Sequence, residues 1–409
     1  MKNILFIFDY YFPNAMANGI CISKLIDDFN KKGLNVSILH FDDKYDHKIY
    51  DYSKNCKQYI ITDDSKNRSS INIYLRWMFS RREYAMLRNR LVDKLFEKTS
   101  EIIVQDNIDT VICAYYPAEA LVAGNLLKDK FPNVNFVAYM LDSLSGGFLP
   151  RFLPKFFCRY RKLKWERYLF EKFDKIVLME SSRKHHEKYS TKDSWYNNKA
   201  VYLDVPAFID IDQDNHKKKE ESKNIVISYA GIIQDNVRTP YSFLKVISEI
   251  KDLKIDIYFA GDNKCAELDK YLNFGENITF TQLGFRPYEE VWKLFENSDI
   301  LLNLGGYNAN LVPSKVFEYM SLGKPIISTY RLDDDSSIPY LKKYPMCFFI
   351  DEREDNYDET AVKLRSFLIE NKNKTIDYES VSKLFYKNKP TAFYDLLFDS
   401  FEKGKQNEN

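Results

Sequence analysis

The sequence has few histidines and cysteines, no long apolar run and almost no net charge, and each shortage excludes a class of function. Five histidines, with no HExxH motif, leave little from which to build a metal centre. Six cysteines, Cys21, Cys56, Cys113, Cys158, Cys265 and Cys347, lie far apart and form no CxxC pair, so neither a disulfide scaffold nor a zinc site is indicated. The 60 Lys and Arg against 59 Asp and Glu give a net charge of +1, which removes a whole-molecule attraction for nucleic acid. No apolar run reaches the ~18 residues of a membrane span. Met1-Lys2-Asn3 leads straight into a strand-like run without a signal-peptide pattern. No GxGxxG follows that strand, which speaks against a nicotinamide dehydrogenase. The expectation is a cytoplasmic protein that is soluble or touches a membrane only at its surface.

What is present suits an α/β protein. A length of 409 residues, 45% hydrophobic and 29% charged, fits two Rossmann-sized units with ordinary cores. Aromatics reach 16%, with 30 Tyr and 30 Phe, a level that reflects either codon bias in an AT-rich genome or a surface that needs aromatics. Residues 3–8 (NILFIF) read as a buried strand, and Ile22, Leu25, Ile26 and Phe29 follow at helical spacing. Gly33 stands at the C-cap position, before a second strand at 36–39. This is a βαβ start with a parallel sheet. Further strands are expected at 110–114, 135–140 and 175–179. Residues 205–222 are polar, charged and without periodicity, which is linker chemistry. The βα rhythm restarts at 225–231 and runs through 255–261, 278–283, 300–305, 326–329 and 347–351. Two doubly wound domains, 1–204 and 223–387, are expected to face a cleft, with the last helix (388–409) packing back on the first.

Residues 303–329, NLGGYNANLVPSKVFEYMSLGKPIIST, are the most informative stretch. A strand ends at Gly305-Gly306, Pro313 sits at the first turn of a helix, and Gly323 caps its end. A glycine loop that opens into a helix N-terminus offers N–H groups and a positive dipole end to an anion. Lys315 adds a charge that this dipole disfavours, so an anionic partner is a reasonable explanation, and Glu318 shares a face with Ser314 and Lys315. The plain alternative is a crossover helix with a surface Lys–Glu pair.

Residues 310–327 resemble the donor-binding signature of glycosyltransferase family 4, retaining enzymes with the glycosyltransferase-B fold. Glu318 aligns with the second Glu of that signature, and the form P-S-K-x-F-E-Y-M-x-x-G-K-P looks like the branch that builds bacterial surface polysaccharides. The first Glu of the signature, which contacts the donor sugar, is replaced by Asn310. The resemblance implies a nucleotide-sugar donor, with UDP the commonest base. The acceptor is a saccharide or lipid-linked saccharide, and no metal or other cofactor is implied. The resemblance assigns Glu318 to the ribose hydroxyls and Gly231, Arg238 and Lys315 to the diphosphate, and it places Asn310, Leu311, Val312 and Ser314 along the donor. The base is expected near Phe285 and Arg286, the donor phosphates near Gly19 in the first domain, and the acceptor near Asp142. The family's diphosphate-binding Arg falls on Ile232, which receives no role. A nucleotide-sugar epimerase and a non-catalytic nucleotide-sugar-binding protein are the rival readings.

Three further stretches stand out. The D-x-D of Asp210 and Asp212 lies in the linker and reads as a solvated charge run, and His185-His186 reads as exposed on a charged helix. Residues 151–175 carry nine basic residues against three acidic ones, interleaved with Phe152, Phe156, Phe157, Tyr160 and Trp165. That pattern suits either an anionic bilayer surface or a core helix with a solvated basic face. Nucleic acid is not expected there, because the rest of the protein is neutral.

Overall fold

The computed structural model describes residues 2–9, 17–41, 56–62, 87–115, 117–146, 153–189, 198–209, 223–272, 274–306 and 315–406. The chain divides into two compact units, Met1–Pro206 with Pro390–Asn409, and Ala207–Lys389.

The first unit is built as β1 (Asn3–Ile7), α1 (Ala17–Lys31), β2 (Asn35–Phe41), β3 (Lys57–Ile61), α2 (Asn89–Gln105), β4 (Thr110–Tyr115), α3 (Ala118–Lys130), β5 (Asn135–Met140), α4 (Lys155–Phe170), β6 (Lys175–Met179), α5 (Arg183–Tyr189) and β7 (Ala200–Leu203). Its seven strands run in the order β3-β2-β1-β4-β5-β6-β7, and every pairing is parallel. Such a sheet is buried on both faces, and its strands alternate between two cores. Leu5 and Ile7 join one core with α2 and α3, while Ile4 and Phe6 join the other with α1. Gly33, at φ +76°, closes α1 as the C-cap residue by donating its N–H to the Asn30 carbonyl at 3.0 Å.

The second unit follows as β8 (Ile225–Ala230), β9 (Ile233–Gln234), α6 (Tyr241–Ser248), β10 (Ile255–Ala260), β11 (Asn263–Lys264), β12 (Ile278–Gly284), α7 (Tyr288–Asn297), β13 (Ile300–Asn303), α8 (Lys315–Ser321), β14 (Ile326–Tyr330), β15 (Cys347–Asp351), α9 (Tyr357–Asn371) and α10 (Tyr378–Leu384). Its parallel six-stranded sheet has the order β12-β10-β8-β13-β14-β15, and β9 and β11 pair as a two-stranded ribbon beyond it. One sheet face is apolar, with Ile227, Tyr229 and Phe259 against Phe243 of α6 and Leu364 of α9. The other mixes buried apolar residues such as Leu301 and Ile326 with paired polar ones: Ser298 donates to Ser228 at 2.6 Å and Asn303 to Ser328 at 2.9 Å. The buried Lys324 ammonium donates to the carbonyls of Glu296 and Ser298, which satisfies the end of α7.

Ala207 to Ile209, expected in the linker, are packed instead. Ala207 and Phe208 are buried, Phe208 lies against Tyr378 and Phe385, and the Ile209 N–H donates to Ser321 Oγ at 2.8 Å. Asp210 and Asp212 lie outside the described residues. The chain returns to the first unit with α11 (Pro390–Gln406), which buries Phe393, Leu397 and Phe398 beside Phe29. The Phe393 ring meets Tyr139 edge-on at 4.8 Å. Among the described residues no helix is long and apolar enough to cross a membrane.

Candidate functional site

In an open parallel sheet, ligands bind beyond the carboxyl ends of the strands, where the strand order reverses direction. In the second unit that point lies between β8 and β13: from β8 the chain adds β10 and β12 on one side of the sheet and β13 to β15 on the other. The strand ends there are stitched beyond the regular ladder. Gly231 N–H donates to the Ala260 carbonyl at 2.8 Å, and Gly261 N–H to the Gly284 carbonyl at 2.8 Å. The backbones approach so closely that a Cβ on Gly261 would lie 2.3 Å from the Gly231 oxygen, and its φ of +128° independently demands glycine.

Arg238 is held at this edge by a tight turn. Gln234 and Arg238 exchange backbone hydrogen bonds at 2.9 Å in each direction, and Asn236 between them takes the left-handed conformation at φ +61°. The Arg238 guanidinium approaches the Tyr229 hydroxyl at 3.5 Å, while its Nε is buried with no hydrogen-bond partner among the described residues. Burial raises the Tyr229 hydroxyl pKa, and the neighbouring Arg238 charge partly offsets that rise. A fixed guanidinium donor without a partner suits an anion.

Glu318 and Lys315 stand on α8. Glu318 is only 3% exposed, so the surface Lys–Glu pair allowed by the sequence does not describe it. Lys315 is half-buried at the first described turn. Tyr319, next to Glu318, is 1% exposed and ties α8 to β8, because its hydroxyl bonds to the Ala230 backbone. Burial raises its pKa strongly, and the charges of Glu318 and Arg238 both reach it. The structure therefore brings Gly231, Arg238, Glu318 and the unanticipated Tyr229 and Tyr319 together. Neither tyrosine carries a sequence signal beyond its place beside a motif residue.

Asn310, Leu311, Val312 and Ser314 lie outside the described residues. Phe285 is 77% exposed in the loop after β12, and Arg286 donates to its carbonyl at 3.1 Å and sits 3.6 Å from the Glu290 carboxylate. Beside this loop a cavity of about 420 Å³ is lined by Tyr258, Ala260, Leu283, Arg286, Glu290 and Leu294. Ile232, 50% exposed, supplies no charge.

In the first unit Gly19 is buried in the first turn of α1. Asp142 follows β5, and desolvation raises its carboxyl pKa. His186 is not exposed as expected: it is fully buried, and His185 is half-buried, because α5 turns both rings toward the loop after β5. On α4, Lys162 and Trp165 are buried, and Arg159 turns inward to donate to the Tyr189 hydroxyl at 2.9 Å. The exposed face carries Lys155, Phe156, Tyr160, Lys164, Arg167 and Tyr168, with Phe156 at 79% and Tyr160 at 62%.

No protein-family model matches the sequence, and no curated protein does. Solved structures do match over nearly the whole chain. A lipopolysaccharide outer core galactosyltransferase in its apo form is 15% identical, with a TM-score of 0.57, covering 98% of this chain and 100% of that one. A glycosyltransferase from Rickettsia africae is 14% identical, with a TM-score of 0.57 and 98% of each chain covered. A sucrose-phosphate synthase from Thermosynechococcus elongatus is 12% identical, with a TM-score of 0.56, covering 98% of this chain and 100% of that one. At these identities the likeness shows the fold, and the chain has the glycosyltransferase-B architecture.

Proposed function

We propose that the protein is a glycosyltransferase that moves a sugar from a nucleotide diphosphate sugar, a UDP-sugar by preference, to a saccharide or lipid-linked saccharide acceptor. The single observation that carries this reading is Arg238, fixed by its turn at the carboxyl edge of β8 with a buried Nε that finds no hydrogen-bond partner among the described residues. The solved relatives named as glycosyltransferases and the motif around Glu318 support it. The same motif supports membership of glycosyltransferase family 4 in its surface-polysaccharide branch, and with it a retaining, metal-independent reaction.

In this reading Arg238 and Lys315 stabilise the charge that grows on the leaving diphosphate, and Asp142 orients or deprotonates the acceptor hydroxyl. Glu318 accepts both ribose hydroxyls, a bidentate task for a carboxylate. A panel of UDP, GDP, TDP, ADP and CMP, followed by a donor-release assay with and without acceptor, tests the reading. Ile232, apolar where the resembled family has its Arg, favours the non-catalytic binding protein as a second reading. That reading expects nucleotide binding without release or transfer, whereas an epimerase would turn over donor without acceptor.

Glu318→Gln is expected to weaken nucleotide binding about 10- to 100-fold. A charge-assisted bond to a buried hydroxyl is worth roughly 1.5–3 kcal/mol. Calorimetric titration of the folded variant checks this, and unchanged affinity sinks the ribose role.

We extend the reading to an anionic membrane surface through the exposed face of α4. The basic residues available for it are Lys155, Lys164 and Arg167, because Arg159 and Lys162 face inward. Each basic residue near such a surface contributes about 1 kcal/mol, and exposed Phe156 and Tyr160 add shallow insertion. Replacing Lys155, Lys164 and Arg167 by Gln is expected to lower binding to anionic vesicles by roughly 100-fold at low salt while nucleotide affinity stays intact. If the unaltered protein does not cosediment with such vesicles at low salt, a soluble acceptor is the better assignment.

A further inference from the structure

Among the described residues of the first unit, a group of buried ionisable side chains gathers around the loop after β5, and the proposed reaction leaves it unused. Ser143 Oγ lies 3.1 Å from His186 Nε2 and accepts the Gly146 N–H at 2.9 Å. Ser145 Oγ lies 2.9 Å from His185 Nε2, and the Ser145 N–H donates to Glu166 Oε1 at 3.4 Å. Glu166 Oε2 stands 3.9 Å from His186 Nδ1. Ser145, Glu166 and His186 are at most 2% exposed, and Lys162 is 5% exposed. Two helices thus clamp one short loop: α4 through Glu166, and α5 through its two histidines.

Burying a carboxylate and a lysine together is costly unless close geometry and further hydrogen bonds repay their desolvation. Residues that only fill a core are apolar, and buried polar networks are instead a way to specify one geometry. Here the network specifies the path of residues 143–146, and Asp142 is the residue immediately before it. We propose that Glu166 and His186 are positioning residues for the acceptor-side loop, with ionised Glu166 holding Ser145, and His186 holding Ser143, so that Asp142 meets the acceptor hydroxyl. This rests on the glycosyltransferase reading and on the role it assigns to Asp142.

The electrostatics suit a device that responds near neutral pH. Burial pushes the Glu166 carboxyl up to about 7, opposed by its hydrogen bonds from Ser145 and by the Lys162 charge. The groups that face this network are Cys158, Arg159 and Lys162 from α4 and His185 and His186 from α5. Lys162 is lowered to about 8, chiefly by burial. His185 falls to about 4 through burial and the Arg159 and Lys162 charges. His186 falls to about 3 through burial and its neighbour His185. Both rings are therefore neutral around pH 7, and Glu166 is the group whose charge changes nearest that pH, with Lys162 following at about 8. Protonating Glu166 removes the anionic acceptor of the Ser145 N–H and the negative charge that Glu166 sets against Lys162.

The test uses the full chain with two readouts, one of them independent of activity. With serine-specific 15N labelling, the Ser145 amide resonance is expected to titrate with a midpoint near pH 7 in the unaltered protein and to lose that titration in Glu166→Gln. With saturating donor, the acceptor kcat/KM is expected to rise through the same pH. Glu166→Gln should lower it roughly tenfold and flatten the profile there, leaving the donor KM unchanged. His186→Gln, which keeps one amide group near Ser143, should retain more activity than His186→Ala. An unmoved Ser145 resonance, or a Glu166→Gln enzyme that keeps the unaltered pH profile, overturns the inference. If Asp142→Asn transfers normally, the assignment of Asp142 fails first, and the positioning role falls with it even if the resonance titrates. If Asp142→Asn abolishes transfer while Glu166→Gln leaves the profile intact, the positioning role fails alone.

Discussion

Arg238→Ala is expected to slow sugar transfer about 10²–10³-fold while the affinity for the bare nucleoside changes little. The magnitude is that of removing one preorganised donor aimed at charge that develops in the transition state. Arg238 meets that description because the turn from Gln234 sets its backbone and, among the described residues, its Nε has no competing hydrogen-bond partner. Little reorganisation is then needed when the diphosphate arrives. Lys315→Ala should act in the same direction, since its ammonium is a point charge at the start of the described part of α8. Single-turnover rates beside nucleoside and nucleotide affinities separate the effects. Equal losses for nucleoside and nucleotide in either variant would assign the damage to folding rather than to phosphate charge.

Asp142→Asn is expected to lower transfer by about 10²–10⁴-fold, the range for a positioned acid–base group, with donor affinity unchanged. A plainer role for this residue would be to cap the following turn. In the structure the cap is Ser143, whose Oγ accepts the Gly146 N–H at 2.9 Å. Burial raises the Asp142 carboxyl, which moves it toward the pH at which a base works best. Transfer at the unaltered rate, with donor binding intact, would return Asp142 to an ordinary loop residue.

The sheets were legible because parallel strands, buried on both faces, announce themselves as short apolar runs. NILFIF became β1 and IDIYFA became β10 almost residue for residue. Helix α7 carries a different signal in the sequence: Val291 and Phe295, four apart, are its buried pair. Glu318 could be singled out because its neighbours form a contiguous motif, and its burial agrees with more than a surface role. The tie from Tyr319 to Ala230 spans 89 positions of sequence and exists only once α8 packs against β8. The histidine pair was misjudged because charged flanks hid it. Lys184, Glu187 and Lys188 are exposed, yet one helical face carries His186 inward onto Ser143. Helix α4 misled in the opposite sense: a crowded basic composition concealed that Lys162 stands four residues before a buried glutamate. Charge counts are blind to which face of a helix a lysine occupies.

The return of α11 to the first unit has a consequence for biosynthesis. Phe393, Leu397 and Phe398 complete a core to which Phe29, Tyr139 and Val177 also belong, yet they leave the ribosome only after all of Ala207–Lys389 has been made. At roughly 5–20 residues per second, the first sheet waits on the order of tens of seconds with that core covered by α1 but not yet by α11. The second unit is continuous in sequence and faces no such delay. The domain begun first is therefore finished last, and the nascent chain in that interval is the form most in need of a chaperone.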